Sequence, residues 1–115
     1  MPIDIRFDQA LEIWRGALTE SLRRKAPDLT QRQLAILLTV YLLPPPHTVR
    51  GLAAHIDVSK PAITRALDRL EELGFAQRKI DDKDRRNVLV QRTVRGSVFL
   101  RDFGDLMLAA ARATG

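Results

Sequence analysis

The sequence predicts a mainly α-helical fold carrying one small β-hairpin. Three observations lead to this reading. Apolar residues recur at spacings of three and four through most of the 115 residues. Alternation of period two occurs once, around residues 75–91. Aromatics are only 5% of the chain, so the core rests on Leu, Ile, Val and Ala, a composition that favours helices.

The first helix is predicted over residues 8–26. Phe7, Leu11, Trp14, Leu18 and Leu22 form its stripe, Asp8 is the expected N-cap and Pro27 the expected stop. The second spans residues 30–42 with Thr30 as cap and Gln33 as its capping-box partner. Leu34, Leu37, Leu38, Tyr41 and Leu42 form its stripe, widened by Ala35, Ile36 and Val40, so it is expected to be central. Pro44, Pro45 and Pro46 then forbid helix.

Thr48 opens a short third helix with Leu52, Ala53 and Ile56 inside it. Asp57 and Val58 make a tight connection to Ser59, an expected N-cap followed by Pro61 in the first turn. The fourth helix carries a buried stripe of Ile63, Ala66, Leu67, Leu70 and Leu73 and ends at Gly74. Short strands are expected at 75–80 and 87–91, joined by the fully charged run Asp81 to Arg86. A last helix over 94–113 lines Phe99, Phe103, Leu106, Met107 and Ala110 along one face. The whole is expected to form a single domain over residues 1–115.

Composition excludes several classes of function. There is no cysteine, hence no disulfide, Cys-type zinc site or cysteine catalysis. His47 and His55 are the only histidines, too few and too far apart to suggest a metal site. No nucleophile motif, glycine-rich phosphate loop or paired carboxylates stand out, so no catalytic residue and no cofactor is assigned. No apolar run reaches the roughly 18 residues of a membrane span, and no signal-peptide pattern opens the chain. A cytoplasmic location without a membrane partner is the expectation.

The net charge is +5, and its distribution is more telling than its sum. Residues 59–95 carry ten basic and six acidic groups, while the rest of the chain is nearly balanced. A basic surface confined to one region is the footprint of a nucleic-acid binder. Residues 48–73 read as a helix-turn-helix and 75–92 as a basic wing behind it. The second helix of the pair packs with one face and leaves Ser59, Lys60, Ala62, Thr64, Arg65, Asp68 and Arg69 on the others. An α-helix fits the major groove, where each base pair shows a distinct donor and acceptor pattern. Small residues near its start, such as Ala62, would allow close approach to base edges. Arg85 and Arg86 at the hairpin tip suit a narrow minor groove. Arg50, Lys60, Arg65, Arg78 and Arg92 are the expected phosphate contacts.

Three ordered segments carry a family resemblance: "LTQRQLAILLTV", "TVRGLAAHIDVSKPAITRALDRLEELGFAQR" and "DDKDRRNVLVQRTVRG". Together they resemble the MarR family of winged-helix transcription factors from about Leu29 to Gly96. The last segment is the most specific, with the Asp-x-Arg wing signature as Asp84-Arg85-Arg86, followed by Thr93 and Gly96. The resemblance implies that Ser59 to Arg69 form the recognition helix, that Arg86 enters the minor groove and that Asp84 supports it. It also implies a homodimer on pseudo-palindromic double-stranded DNA, repression more than activation, and a small-molecule effector in a cleft beside the flanking helices.

Two departures from the family pattern stand out. Arg92 replaces the usual apolar residue before Thr93, so a more exposed wing-to-helix junction is expected. About twenty residues follow Gly96, enough for one helix where relatives use two to embrace the partner subunit. The dimer interface is therefore expected from helices 8–26 and 94–113, through Leu11, Trp14, Phe103, Leu106, Met107 and Ala110. Trp14 and Phe103 are read as core or dimer packing before effector contacts. The alternative function is a winged-helix adaptor working through a partner protein, which would have no need of Arg85 and Arg86.

Overall fold

Five helices and one hairpin follow each other in the computed structural model, which describes residues 4–114. They are α1 (Phe7–Arg23), α2 (Gln31–Leu42), α3 (Val49–Ile56), α4 (Lys60–Glu72), β1 (Ala76–Ile80), β2 (Val88–Arg92) and α5 (Val94–Thr114). Two compact units divide them. Leu29–Phe99 holds α2 to β2 and the start of α5. The segment up to Asp28 joins the chain from Leu100 onward in the other.

In the larger unit every helix start is locally satisfied. Thr30 Oγ1 accepts from the Gln33 N–H at 3.1 Å, and Gln33 Oε1 accepts from the Thr30 N–H at 2.9 Å, a complete capping box. Thr48 Oγ1 caps α3 through the Gly51 N–H at 2.9 Å. Ser59 Oγ caps α4 through the Ala62 N–H at 3.2 Å. Between α3 and α4, Asp57 adopts the left-handed conformation with φ 61°, one of the few non-glycine residues for which this is cheap. Gly74 does the same at the end of α4, where the Phe75 N–H reaches the Leu70 carbonyl at 2.8 Å.

The buried face of α2 differs from the expected stripe. Ile36, Leu37 and Val40 are buried, while Leu38 and Leu42 are exposed. The helix is apolar almost all round, so its period does not select a face. Packing against α3, α4 and β2 does. Ile36, Leu37, Leu52, Ile63, Leu67 and Leu70 form the fully buried centre. Phe75 closes one side and stacks on Phe99 with ring centroids 4.5 Å apart.

The hairpin is antiparallel, in register from Ala76 opposite Arg92 to Ile80 opposite Val88. The free edge of β2 pairs with the strand leading into α3: Thr48 bridges Leu89, and the Val90 N–H donates to the His47 carbonyl at 2.8 Å. The wing root is thus held on both edges, while its tip extends beyond the core.

In the smaller unit the N-cap of α1 is Arg6, two residues before the expected Asp8. The Arg6 N–H donates to Gln9 Oε1 at 3.0 Å, and Asp8 lies inside the first turn. There its charge still suits the positive helix end. The helix also stops earlier than Pro27 suggested. Lys25 takes φ 61°, and the Ala26 N–H reaches the Ser21 carbonyl at 3.1 Å, a Schellman closure without glycine. A Cβ placed on Gly16 would lie 3.0 Å from the Ala110 Cβ, so α1 and α5 meet closely at that level. The predicted α1 stripe exists but is not covered within the chain: Phe7 is 82%, Leu11 67% and Trp14 53% exposed.

Candidate nucleic-acid interface

α4 presents two chemically different sides. Ala62, Ile63, Ala66, Leu67 and Leu70 face the core. Lys60, Arg65, Asp68 and Arg69 are exposed, and Thr64 is half-buried beside them. Ala62 corrects the sequence expectation. It is only 6% exposed because it shares the packed face with Ala66 one turn later. The exposed residue at that level is Pro61, with Ser59 and Lys60 before it.

The wing tip carries a preset cation. Arg86 Nε donates to Asp84 Oδ1 and Arg86 Nη2 to Asp84 Oδ2, both at 3.0 Å. The Arg86 N–H also donates to Asp84 Oδ1 at 3.2 Å. This bidentate grip fixes the direction of a guanidinium that is otherwise in solvent. The hydrogen bonds from Arg86, and then the charge of Arg50, hold the Asp84 carboxyl below its ordinary range. Arg50, in the first turn of α3, is thus brought within electrostatic reach of the wing, 34 positions along the chain. Arg85 is exposed next to Arg86.

Some of the expected phosphate contacts are committed within the protein. Arg78 is held by Glu71 and Asp68 of α4 at 2.7 and 2.6 Å. Arg92 donates from Nε to the Val40 carbonyl at 2.9 Å and from Nη2 to the Leu43 carbonyl at 3.2 Å. Its guanidinium also lies 5.8 Å from the centroid of the Tyr41 ring. The carbonyls ending α2 lack helical partners, and Arg92 supplies donors to them. The junction is exposed at Arg92 and Val94, as expected, and the residue that departs from the family pattern also ties it to the end of α2. Arg69 reaches Glu72 at 3.4 Å on the helix surface, whereas Asp68 and Glu71 turn to β1 instead of the α4 arginines. Among the described residues Arg50, Lys60, Arg65 and Arg85 form no ion pair with an acidic side chain.

Sequence reasoning missed the part played by Tyr41, which it placed in an apolar stripe. Its hydroxyl lies 2.9 Å from both the Phe75 and Thr93 carbonyls and accepts from the Thr93 N–H at 2.8 Å. One tyrosine so joins α2 to both ends of the hairpin. Its polar tip within the apolar run was the available signal, since a buried hydroxyl requires a partner.

The remaining expected residues have simpler settings. Leu11 and Trp14 are exposed on α1, Met107 is exposed on α5, and Phe103, Leu106 and Ala110 are half-buried there. His47 bonds the Leu43 carbonyl at 3.1 Å, and His55 is exposed on α3. Among the described residues no group of three or more His, Asp or Glu side chains is arranged to hold a metal ion. No helix among them is long and apolar enough to cross a membrane.

Comparison with known proteins gives this geometry a family. The MarR family profile matches residues 29–88, from two residues before α2 to the first residue of β2. A transcriptional regulator of Thermotoga maritima superposes with a TM-score of 0.78 at 21% identity, over 93% of this chain and 72% of that one. The S. aureus MepR–DNA complex gives 0.77 at 18% identity, over 94% and 86%. The transcriptional regulator BldR of Sulfolobus solfataricus gives 0.64 at 29% identity, over 93% and 77%. The profile spans the helix-turn-helix and the wing signature together, and on that ground the chain belongs to the MarR family, whose members are winged-helix transcriptional regulators and not enzymes.

Proposed function

We propose that the protein represses transcription by binding duplex DNA as a homodimer on a pseudo-palindromic site. The amino-terminal half of α4 enters the major groove, and Arg85 and Arg86 enter the neighbouring minor groove. The observation that carries this reading is the distribution of free and aimed cations. Among the described residues Lys60, Arg65 and Arg85 are exposed and form no ion pair with an acidic side chain, Arg50 is exposed within electrostatic reach of Asp84, and Arg86 is aimed by Asp84. The likeness to a MepR structure solved with DNA supports the same use of the fold. Repression rests on family membership.

The homodimer draws its support from the uncovered apolar stripe of α1. Phe7, Leu11 and Trp14 follow each other at helical spacing on an exposed face, which a second copy would bury. A two-fold dimer presents two α4 helices about one DNA turn apart, which is why a pseudo-palindrome is expected.

Selection of bound sequences from a random duplex pool tests the proposal. The expected result is an inverted repeat with half-sites about 10 base pairs apart. A pool without enrichment, or no duplex binding at low salt, would favour an adaptor that works through a protein partner.

A further inference from the structure

Arg78 belongs to β1, yet its side chain is held by two carboxylates of α4. Nε donates to Glu71 Oε1 at 2.7 Å and Nη2 donates to Asp68 Oδ1 at 2.6 Å. Asp68 and Glu71 are three residues apart and so share one side of the helix. The side chain is about three-quarters buried between them. A planar guanidinium can bridge two carboxylates along two edges at once, which a lysine ammonium, as a point charge, does less well. The hydrogen bond to Arg78 holds the Glu71 carboxyl below its ordinary range, so the pair stays ionised.

The clamp adds a second link between the two DNA-facing elements. Without it α4 and the hairpin are joined only near the end of α4, through the short turn around Gly74, the hydrogen bond from the Thr93 hydroxyl to the Gly74 carbonyl and the core contacts of Phe75 and Ala76. With it the strand is anchored along a further turn of α4. The β1–β2 register carries that anchorage toward the tip, where Asp84 aims Arg86. The clamp also offsets one of the two negative charges that Asp68 and Glu71 place on the helix that approaches phosphate.

We propose that Arg78 is a positioning residue that makes α4 and the wing one rigid reader, so that their DNA contacts are made at a fixed separation and reinforce each other. The inference rests on the DNA-binding reading above. It differs from the simpler role of masking negative charge, and the two roles can be separated. Arg78→Gln removes the clamp and exposes both carboxylates. The triple variant Asp68→Asn, Glu71→Gln, Arg78→Gln removes the clamp and the carboxylates together.

Each protein is measured with and without Arg86→Ala, on the selected site and on an unrelated duplex, after circular dichroism shows it folded. On the selected site Arg86→Ala weakens the wild type by about tenfold. In the triple variant, affinity for the unrelated duplex returns to the wild-type level or above it, because both carboxylate charges are gone along with the one cation. Affinity for the selected site stays about tenfold down, and Arg86→Ala costs less than about threefold there, because the wing no longer reinforces the helix. Arg78→Lys falls between wild type and Arg78→Gln, and remains available should the glutamine variant fail to fold. A triple variant with wild-type affinity for the selected site and the full Arg86 effect overturns the proposal. Failure of the DNA-binding reading looks different: the wild-type protein itself then binds no duplex.

Discussion

Gly96 lies against Tyr41 with no room for a side chain. A Cβ at this position would stand 2.1 Å from the Tyr41 hydroxyl oxygen and 2.2 Å from the Phe75 carbonyl oxygen. The Gly96 N–H donates to Thr93 Oγ1 at 3.0 Å, and that hydroxyl donates to the Gly74 carbonyl at 2.7 Å. Tyr41, Gly74, Phe75, Thr93 and Gly96 thus form one polar joint between α2, the end of α4, the hairpin and the start of α5. Thr93 and Gly96 of the family pattern acquire a physical reason here: one is the hinge pin of the joint and the other is the space it needs.

Gly96→Ala is expected to destabilise the protein by about 1–3 kcal/mol, the usual range for forcing extra carbon into a packed site. The atoms in the way are a backbone carbonyl and a tyrosine held by hydrogen bonds, so little can yield. Urea denaturation checks this, as a lower midpoint with an unchanged slope. A variant as stable as the wild type would mean that the joint gives way easily.

Affinity for DNA is expected to fall steeply with salt. If a dimer neutralises about six to ten phosphates, binding weakens by about 10³–10⁵ between about 50 and 200 mM. Lys60→Ala should lower the slope of log affinity against log salt by about 1.8, one phosphate per protomer at about 0.9 each. Arg92→Ala should leave the slope unchanged and reduce stability instead, because its guanidinium serves the Val40 and Leu43 carbonyls. Titrations at several salt concentrations distinguish the two.

Arg65 and Arg86 are expected to read DNA in different ways. Arg65 is exposed in the second turn of α4, within reach of a base edge. Arg65→Ala should cost about 1–3 kcal/mol and relax preference at one base pair of each half-site. Arg86→Ala should weaken binding and blunt preference for A·T-rich flanks, where the minor groove is narrow. The central consensus should remain. Binding profiles on one library of site variants compare the two directly, and an exchange of these effects would reverse the roles given to helix and wing.

Charge on the uncovered flanking faces is expected to separate the protomers. Leu11→Asp or Met107→Asp places a carboxylate on an exposed apolar position without opening the chain's own core. Light scattering should report a monomer, and affinity for a full palindrome should fall while each protomer stays folded. Variants that remain dimeric would move the interface to another surface.

Much of the fold was legible because its signals are local. Thr30, Thr48 and Ser59 cap the helices that follow them, and Gly74 ends α4, since each acts on backbone groups within a few residues. The Asp84–Arg86 grip was expected from the resemblance, through the Asp-x-Arg signature, and its partners lie two residues apart. The end of α1 was misplaced because Pro27 is a louder signal than Lys25, although Lys25 is where the chain turns.

What the sequence by itself determined is therefore the order of elements, the amino-terminal caps of α2, α3 and α4 and the basic character of the helix and wing. Only the tertiary structure decided which cations remain available. Arg78 finds its carboxylates seven and ten residues away, and Arg92 finds its carbonyls 49 and 52 residues away. The same holds for the buried side of α2 and for Ala62, whose exposure depends on what packs against the helix. Periodicity records that a face is apolar, and spacing records that a charge is present. Neither contains the long-range neighbours whose dipoles and carboxylates determine whether that charge is neutralised in the fold or left free to meet a phosphate.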